Sequence, residues 1–262
     1  MATLASDFRP EPTTDRPPTG MAYAMALTVI AGFSLQWFAG RSTFHSPLVV
    51  HAHALTFMGW VAIFVTQATL GARGQIDQHR KLAKLAIAWM GLMIVMGTVV
   101  TVRMIRNGTV PFFFRPQHFL IFDPMSVLFF AGMVLYAVSR RSQTDWHVRL
   151  QLGAMAILMG PAFGRLLPMP LLQPWSWECA AAACAIFPLI GMGIDLKRRG
   201  SVHPAWYVSL GALIAMVVVT DAVTYSALGD SLYHMASAGY PGATVPGLEF
   251  GTSPGSGLIT GR

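Results

Sequence analysis

The sequence predicts an all-α, polytopic membrane protein in which seven transmembrane helices form a bundle. Of its 262 residues, 54% are hydrophobic and only 11% are charged. The apolar residues come in runs of about twenty, and at about 1.5 Å per helical residue such a run crosses about 30 Å of hydrocarbon. Composition and run length together indicate that the solvent of most of this chain is lipid.

Seven apolar segments mark the expected spans, and several begin with helix-entry residues such as Ser46-Pro47, Thr144-Asp145 and His203-Pro204. The spans are expected at 21–39, 47–71, 79–104, 119–139, 146–167, 176–196 and 204–228.

Three regions follow from this division. Residues 1–20 form a polar, proline-containing leader that is expected to be disordered. Residues 21–228 form the seven-helix transmembrane domain. Residues 229–262 form a tail rich in Gly and Pro, expected to extend from the surface or to contact other membrane subunits.

Basic residues predict the orientation. With alternate loops assigned to opposite sides, twelve Lys and Arg residues share the side of the N-terminus and six lie on the other side. This bias predicts a cytoplasmic N-terminus and a periplasmic C-terminus in a bacterial inner membrane. The net charge of +7 therefore reflects orientation, and the expected partner is the lipid bilayer, not nucleic acid.

Histidines recur at alternate span starts within residues 47–167. His53 and His118 fall near the outer ends of spans two and four, and His79 and His147 near the inner ends of spans three and five. The separations are 65 and 68 residues, so each pair comes from helices that start on one side of the membrane. Two same-side pairs could hold two b-type haems by bis-imidazole ligation in a four-helix core.

This distribution resembles the di-haem core of the cytochrome b561-like family, which implies a transmembrane electron-transfer protein that binds haem b. The stretches "HAHALTFMGWVAIFVTQATLGARGQIDQHRKLAK" and "DWHVRLQLGAMAILMGPAFGRL" are also similar to a family of uncharacterised bacterial seven-helix integral membrane proteins. That second resemblance implies architecture without an activity.

Two other functions stay open, and with them the question whether the protein is an enzyme. A seven-helix metal-dependent membrane hydrolase could hold Zn²⁺ with His79, His147, His203 and Asp195, which share the inner side. Alternatively, the protein is a non-catalytic subunit that packs in a larger membrane complex through pigment, quinone or lipid contacts.

Isolated charges near the outer ends of spans predict structural ion pairs, because an unpaired charge at that depth is costly. We expect Arg165 to pair with Asp221 or Asp123. Asp123-Pro124 also has the form of a helix start, and a span beginning there would leave His118 outside the bundle.

Overall fold

The structure is a computed structural model that describes residues 19–42 and 45–252. Nearly all of the leader expected at 1–20, and residues 253–262 of the tail, therefore lie outside the described residues.

The described residues form an all-helical bundle. Its α-helices are α1 (Thr19–Phe38), α2 (Leu48–Ala72), α3 (Ile76–Asn107), α4 (Pro116–Ser139), α5 (Thr144–Ile157), α6 (Gly160–Leu166), α7 (Ser176–Cys184), α8 (Ile186–Arg199), α9 (Pro204–Thr224) and α10 (Ala227–Ser237). Short 3₁₀ turns occupy Met169–Leu172 and Pro241–Thr244.

Six segments of the described chain are long and apolar enough to cross a membrane: α1, α2, α3, α4, the α7–α8 pair and α9. Large apolar side chains point outward from them, among them Leu27 at 64% exposure and Leu55 at 73%. Outward apolar surface on consecutive long helices is what lipid contact requires, so the chain has the character of a multi-pass membrane protein.

The two ends of the bundle can be told apart by contacts between helix termini. Tyr23 at the start of α1 bonds to Thr69 at the end of α2, at 2.8 Å. Trp146 at the start of α5 packs on His203 before α9. We call the end where α1, α3, α5 and α9 begin the near end, and the end where α2, α4 and α7 begin the far end.

The fifth predicted span is two helices rather than one. α5 stops at Ile157 and α6 starts at Gly160, directly before Pro161, whose ring cannot extend the preceding helix. Together the two helices connect the ends of the bundle, because α5 begins at the near end and the Arg165 carbonyl of α6 accepts a bond from Gln36 at the end of α1.

The fourth helix begins earlier than Asp123-Pro124 indicated. α4 starts at Pro116, and Pro124 lies inside it. His118 is therefore in the first turn of the helix and is 5% exposed. The helix-start interpretation of Asp123 is wrong because Pro116 is the proline of the first turn. Pro124 is tolerated inside the apolar helix because neighbouring helices can satisfy the backbone groups that it leaves unpaired.

The tail is a folded cap rather than an extension over residues 227–252. Tyr233 in α10 donates to the Val245 carbonyl at 2.8 Å, and Gly247 accepts from the backbone N–H of Gln117 at the start of α4, also at 2.8 Å. Gly242 lies so close to the Ile105 carbonyl of α3 that a Cβ would overlap it. Tertiary contact has organised a segment whose Gly and Pro content predicted irregular chain.

Candidate functional site

His79 and His147 meet at the near end of the bundle. Their ring centres are 6.2 Å apart and their planes cross at 80°. Each histidine is the fourth residue of its helix, His79 in α3 and His147 in α5, and both rings are half-buried. The sequence-predicted inner pair is therefore brought together by the fold.

Backbone carbonyls orient both rings. Nδ1 of His79 lies 3.2 Å from the Gln67 carbonyl oxygen, and Nδ1 of His147 lies 2.7 Å from the Ala137 carbonyl oxygen. A carbonyl oxygen only accepts, so each Nδ1 carries the hydrogen and donates. In the neutral rings each Nε2 then keeps its lone pair, which is the arrangement that metal-binding histidines adopt.

A short repeat accounts for this symmetry. Residues 73–82 read "RGQIDQHRKL" and residues 141–150 read "RSQTDWHVRL", so both follow the pattern R-x-Q-x-D-x-H-x-(K/R)-L. Gln75 and Gln143 precede α3 and α5, and their carbonyls accept the backbone N–H of the two histidines. The pattern occurs at two helix junctions, between α2 and α3 and between α4 and α5, and so places His79 and His147 at equivalent points.

The zinc set His79, His147, His203 and Asp195 is not assembled. In the described part of the chain, no metal-like group of three or more ligands includes any of these four residues. Asp195 already receives bonds from Arg149 and from the indole N–H of Trp206, which satisfy both carboxylate oxygens.

His203 has a structural role instead. Its Nδ1 accepts the backbone N–H of Ala205 at 3.2 Å and so caps α9. Burial, with the nearby charges of Arg149 and Arg199, lowers the pKa of His203, so the ring is neutral at pH 7. With Nδ1 accepting, the proton of the neutral ring is on Nε2, and neither nitrogen has a lone pair left for zinc.

His118 belongs to a different cluster from the one predicted. At the far end its Nε2 lies 3.0 Å from Oδ1 of Asp221, and Glu178 completes a group whose ligand atoms are all within 4.8 Å of one another. Among the described ring contacts His118 touches Phe122, Trp177 and Tyr225, and none joins it to His53. The outer histidine pair is thus replaced by one histidine with two carboxylates.

His53 takes part in a separate polar group. Its ring stacks on Phe57, and its Nδ1 is 3.4 Å from the Met96 carbonyl. The charges of Asp123 and Arg165 both act on His53, so α2, α4 and α6 bring three ionisable side chains into one region.

The expected ion pairs of Arg165 take another form. Arg165 and Asp123 interact electrostatically, but the salt bridges among the described residues do not include this pair. Asp123 instead accepts a hydrogen bond from the Thr101 hydroxyl at 2.5 Å. The Arg165 guanidinium lies 4.0 Å from the centre of the Phe33 ring. Asp221 pairs with His118 rather than with Arg165, because α4 and α9 pack together at the far end.

A groove of about 430 Å³ opens at the far end between α2, α3 and the cap. Arg103, Arg106 and Tyr240 line its polar side and Val49, Val99 and Val102 its apolar side. It is the feature of the described chain to which the lipid- or quinone-contact alternative would apply.

Comparison of the chain with protein families, with curated proteins and with solved structures returned no match.

Proposed function

We propose that this protein is a seven-span membrane protein that binds a b-type haem between His79 and His147 and transfers single electrons at its near end. The observation that carries the proposal is the separation of 6.2 Å between the two ring centres. Two imidazoles that bind one metal from opposite sides, with metal–nitrogen bonds of about 2.0–2.1 Å, have ring centres roughly 6 Å apart.

The donor set supports haem over a bare metal ion. Within the described residues, no third His, Cys, Asp or Glu joins His79 and His147 in a metal-like group. Two imidazoles alone leave a metal ion short of ligands, whereas a porphyrin contributes four nitrogens of its own. Both rings are half-exposed, so haem would enter from the exposed side of the ring pair.

The protein would supply the two imidazole ligands, fix their orientation and hold them at the near end of the bundle. The Gln67 and Ala137 carbonyls hold the two imidazoles with Nε2 free, which makes both nitrogens better ligands and fixes their direction. When bound by both imidazoles, haem would supply one-electron transfer and would have no ligand position open for oxygen. Both histidines lie in the first turn of their helices, so the pair is near the end of the bundle, where a soluble redox partner can approach.

We also propose seven spans and a cytoplasmic N-terminus. α5 and α6 together would make one crossing that neither makes alone, and the excess of Lys and Arg at the near end supports a cytoplasmic location for that end. Single cysteines at Ser142→Cys and Ala243→Cys, in a background with Cys179→Ala and Cys184→Ala, test the topology, since both positions are exposed. A membrane-impermeant maleimide should label position 243 from the periplasm and position 142 only after lysis.

Absorption spectra test the haem directly. We expect protein purified in detergent, loaded with haemin where needed, to show a sharp α band after dithionite reduction, and His79→Ala and His147→Ala each to abolish it. His234→Ala is the matched control, since His234 is exposed in α10 at the far end. A wild-type protein that gains no α band, or an α band that survives both near-end substitutions, would refute haem at this pair.

A further inference from the structure

His118, Glu178 and Asp221 come from three separate helices to one point at the far end. His118 and Glu178 are each the third residue of their helices, α4 and α7, while Asp221 is in the last turn of α9. Their ligand atoms all lie within 4.8 Å of one another. Imidazole nitrogen and carboxylate oxygen are ordinary ligands of divalent metal ions.

The buried imidazole of His118 has no hydrogen-bond partner at Nε2. The residue is 5% exposed, and both its Nε2 and Oδ1 of Asp221 are buried without a hydrogen bond. The two atoms are nonetheless 3.0 Å apart. They therefore approach at an angle that does not suit an N–H···O bond, and leaving both unsatisfied is costly. A shared cation satisfies both.

We propose that His118, Glu178 and Asp221 bind a divalent transition-metal ion, with Zn²⁺ as the best match. Tetrahedral ligand atoms at about 2.0–2.2 Å from Zn²⁺ are about 3.4 Å apart. The Nε2–Oδ1 distance is 3.0 Å, so the two atoms need to separate by only a few tenths of an ångström to hold the ion between them. The Glu178 carboxylate lies within 4.8 Å of the other two ligand atoms, so a side-chain movement would bring it to the metal.

Charge favours a cation here. Two carboxylates share the site, and Arg115, whose guanidinium donates to the Tyr225 hydroxyl at 2.7 Å, is the nearby basic residue. Like charges held this close in a partly buried place repel one another, and a divalent ion between them removes the repulsion.

The site also has room for one small ligand. A cavity of about 10 Å³ is lined by Arg115, His118, Trp177 and Glu178. That is close to the smallest volume that holds a water, about 10–15 Å³. Three protein ligands plus one water is the pattern of an open metal site, and Arg115 would favour an anion exchanging with that water.

Metal titration of the full-length protein in detergent tests the proposal. After chelator treatment and dialysis, wild-type protein should bind one Zn²⁺ per chain and should unfold at a higher temperature when Zn²⁺ is added. His118→Ala, Glu178→Gln and Asp221→Asn should each weaken Zn²⁺ binding at least about 10-fold. Removing a residue that only orients a metal ligand already costs about that much, and these three residues are the ligands themselves. Ca²⁺, which prefers oxygen ligands alone, should bind less tightly than Zn²⁺.

A second histidine–aspartate pair provides the control. His234 and Asp230 are 3.4 Å apart in α10 at the same end, but both are exposed. His234→Ala and Asp230→Asn should leave Zn²⁺ binding unchanged. Because Glu178→Gln and Asp221→Asn preserve shape, they keep the test valid if His118→Ala fails to fold. Stoichiometric Zn²⁺ binding that survives His118→Ala, Glu178→Gln and Asp221→Asn, or no effect of Zn²⁺ on wild-type unfolding, would overturn this site and leave the haem proposal unchanged. Zn²⁺ binding that is lost only with His79→Ala would overturn this site and would also count against haem at the near end.

Discussion

Arg149 and Asp195 form a buried, two-pronged ion pair that ties α5 to α8. Nε of Arg149 lies 2.9 Å from Oδ2 of Asp195, and its second terminal nitrogen lies 2.6 Å from Oδ1. The two residues are 1% and 3% exposed. Trp206 donates to the same carboxylate at 2.9 Å, so α9 joins the network.

Breaking this ion pair from one side should be strongly destabilising. Arg149→Met leaves the Asp195 carboxylate buried without its cation, and we expect unfolding in detergent to require about 3–5 kcal/mol less. Equilibrium unfolding by denaturant measures the loss, with Arg141→Ala as the control because Arg141 is exposed and its guanidinium donates to the carbonyl of nearby Val138. A loss similar to that of the control would show that the pair contributes little.

Close contact between α5 and α9 depends on Gly153. A Cβ at this position would overlap the hydroxyl of Ser209, which is fully buried. Gly153→Ala should therefore cost about 1–3 kcal/mol of stability through overpacking. Ser209→Gly in the same chain should restore part of the loss by removing the obstructing side chain.

Gly132→Ala is the matched control for helix propensity, since a Cβ there meets nothing within 4 Å. Its thermal unfolding temperature should be unchanged or higher, because alanine favours helix over glycine. Equal behaviour of Gly153→Ala and Gly132→Ala would contradict the packing argument.

The C-terminal cap should detach when Gly242 gains a side chain. Gly242→Ala would overlap the Ile105 carbonyl oxygen, a backbone atom that cannot rotate away. Limited proteolysis should then cleave residues 238–252 faster, by roughly tenfold for every 1.4 kcal/mol of lost docking energy. Ala243→Ser, at an exposed neighbouring position, should be cleaved at the wild-type rate.

The helix cap at His203 should depend on pH. Because the folded state lowers the pKa of His203, its contribution is complete above about pH 6.5, the ordinary pKa, and decreases as pH falls toward the folded-state value. His203→Ala should cost about 1 kcal/mol at pH 8, whereas His203→Asn should retain the cap. Comparing melting temperatures at pH 8 and pH 5 tests this, since His203→Asn should lose less stability on acidification than wild type. An equal loss in both would assign the acid sensitivity elsewhere.

The sequence by itself determined the solvent, the helical class and the order of the apolar helices. Run length and hydropathy are local properties, and any helix that crosses hydrocarbon must satisfy its own backbone, so these features follow from the sequence without the fold. It also indicated that His79 and His147 would lie at one end, because their helices start on one side and share one local pattern.

Only the tertiary structure decided which polar groups meet. His118 finds Glu178 and Asp221, 60 and 103 residues further along the chain, because α4, α7 and α9 adjoin at the far end. Asp195 forms an ion pair with Arg149 and does not join the predicted zinc ligands. The Gly- and Pro-rich tail forms a cap because it packs on Ile105. The physical reason is that hydropathy gives the depth of a side chain along its helix, while its partners depend on helix rotation and on which helices become neighbours.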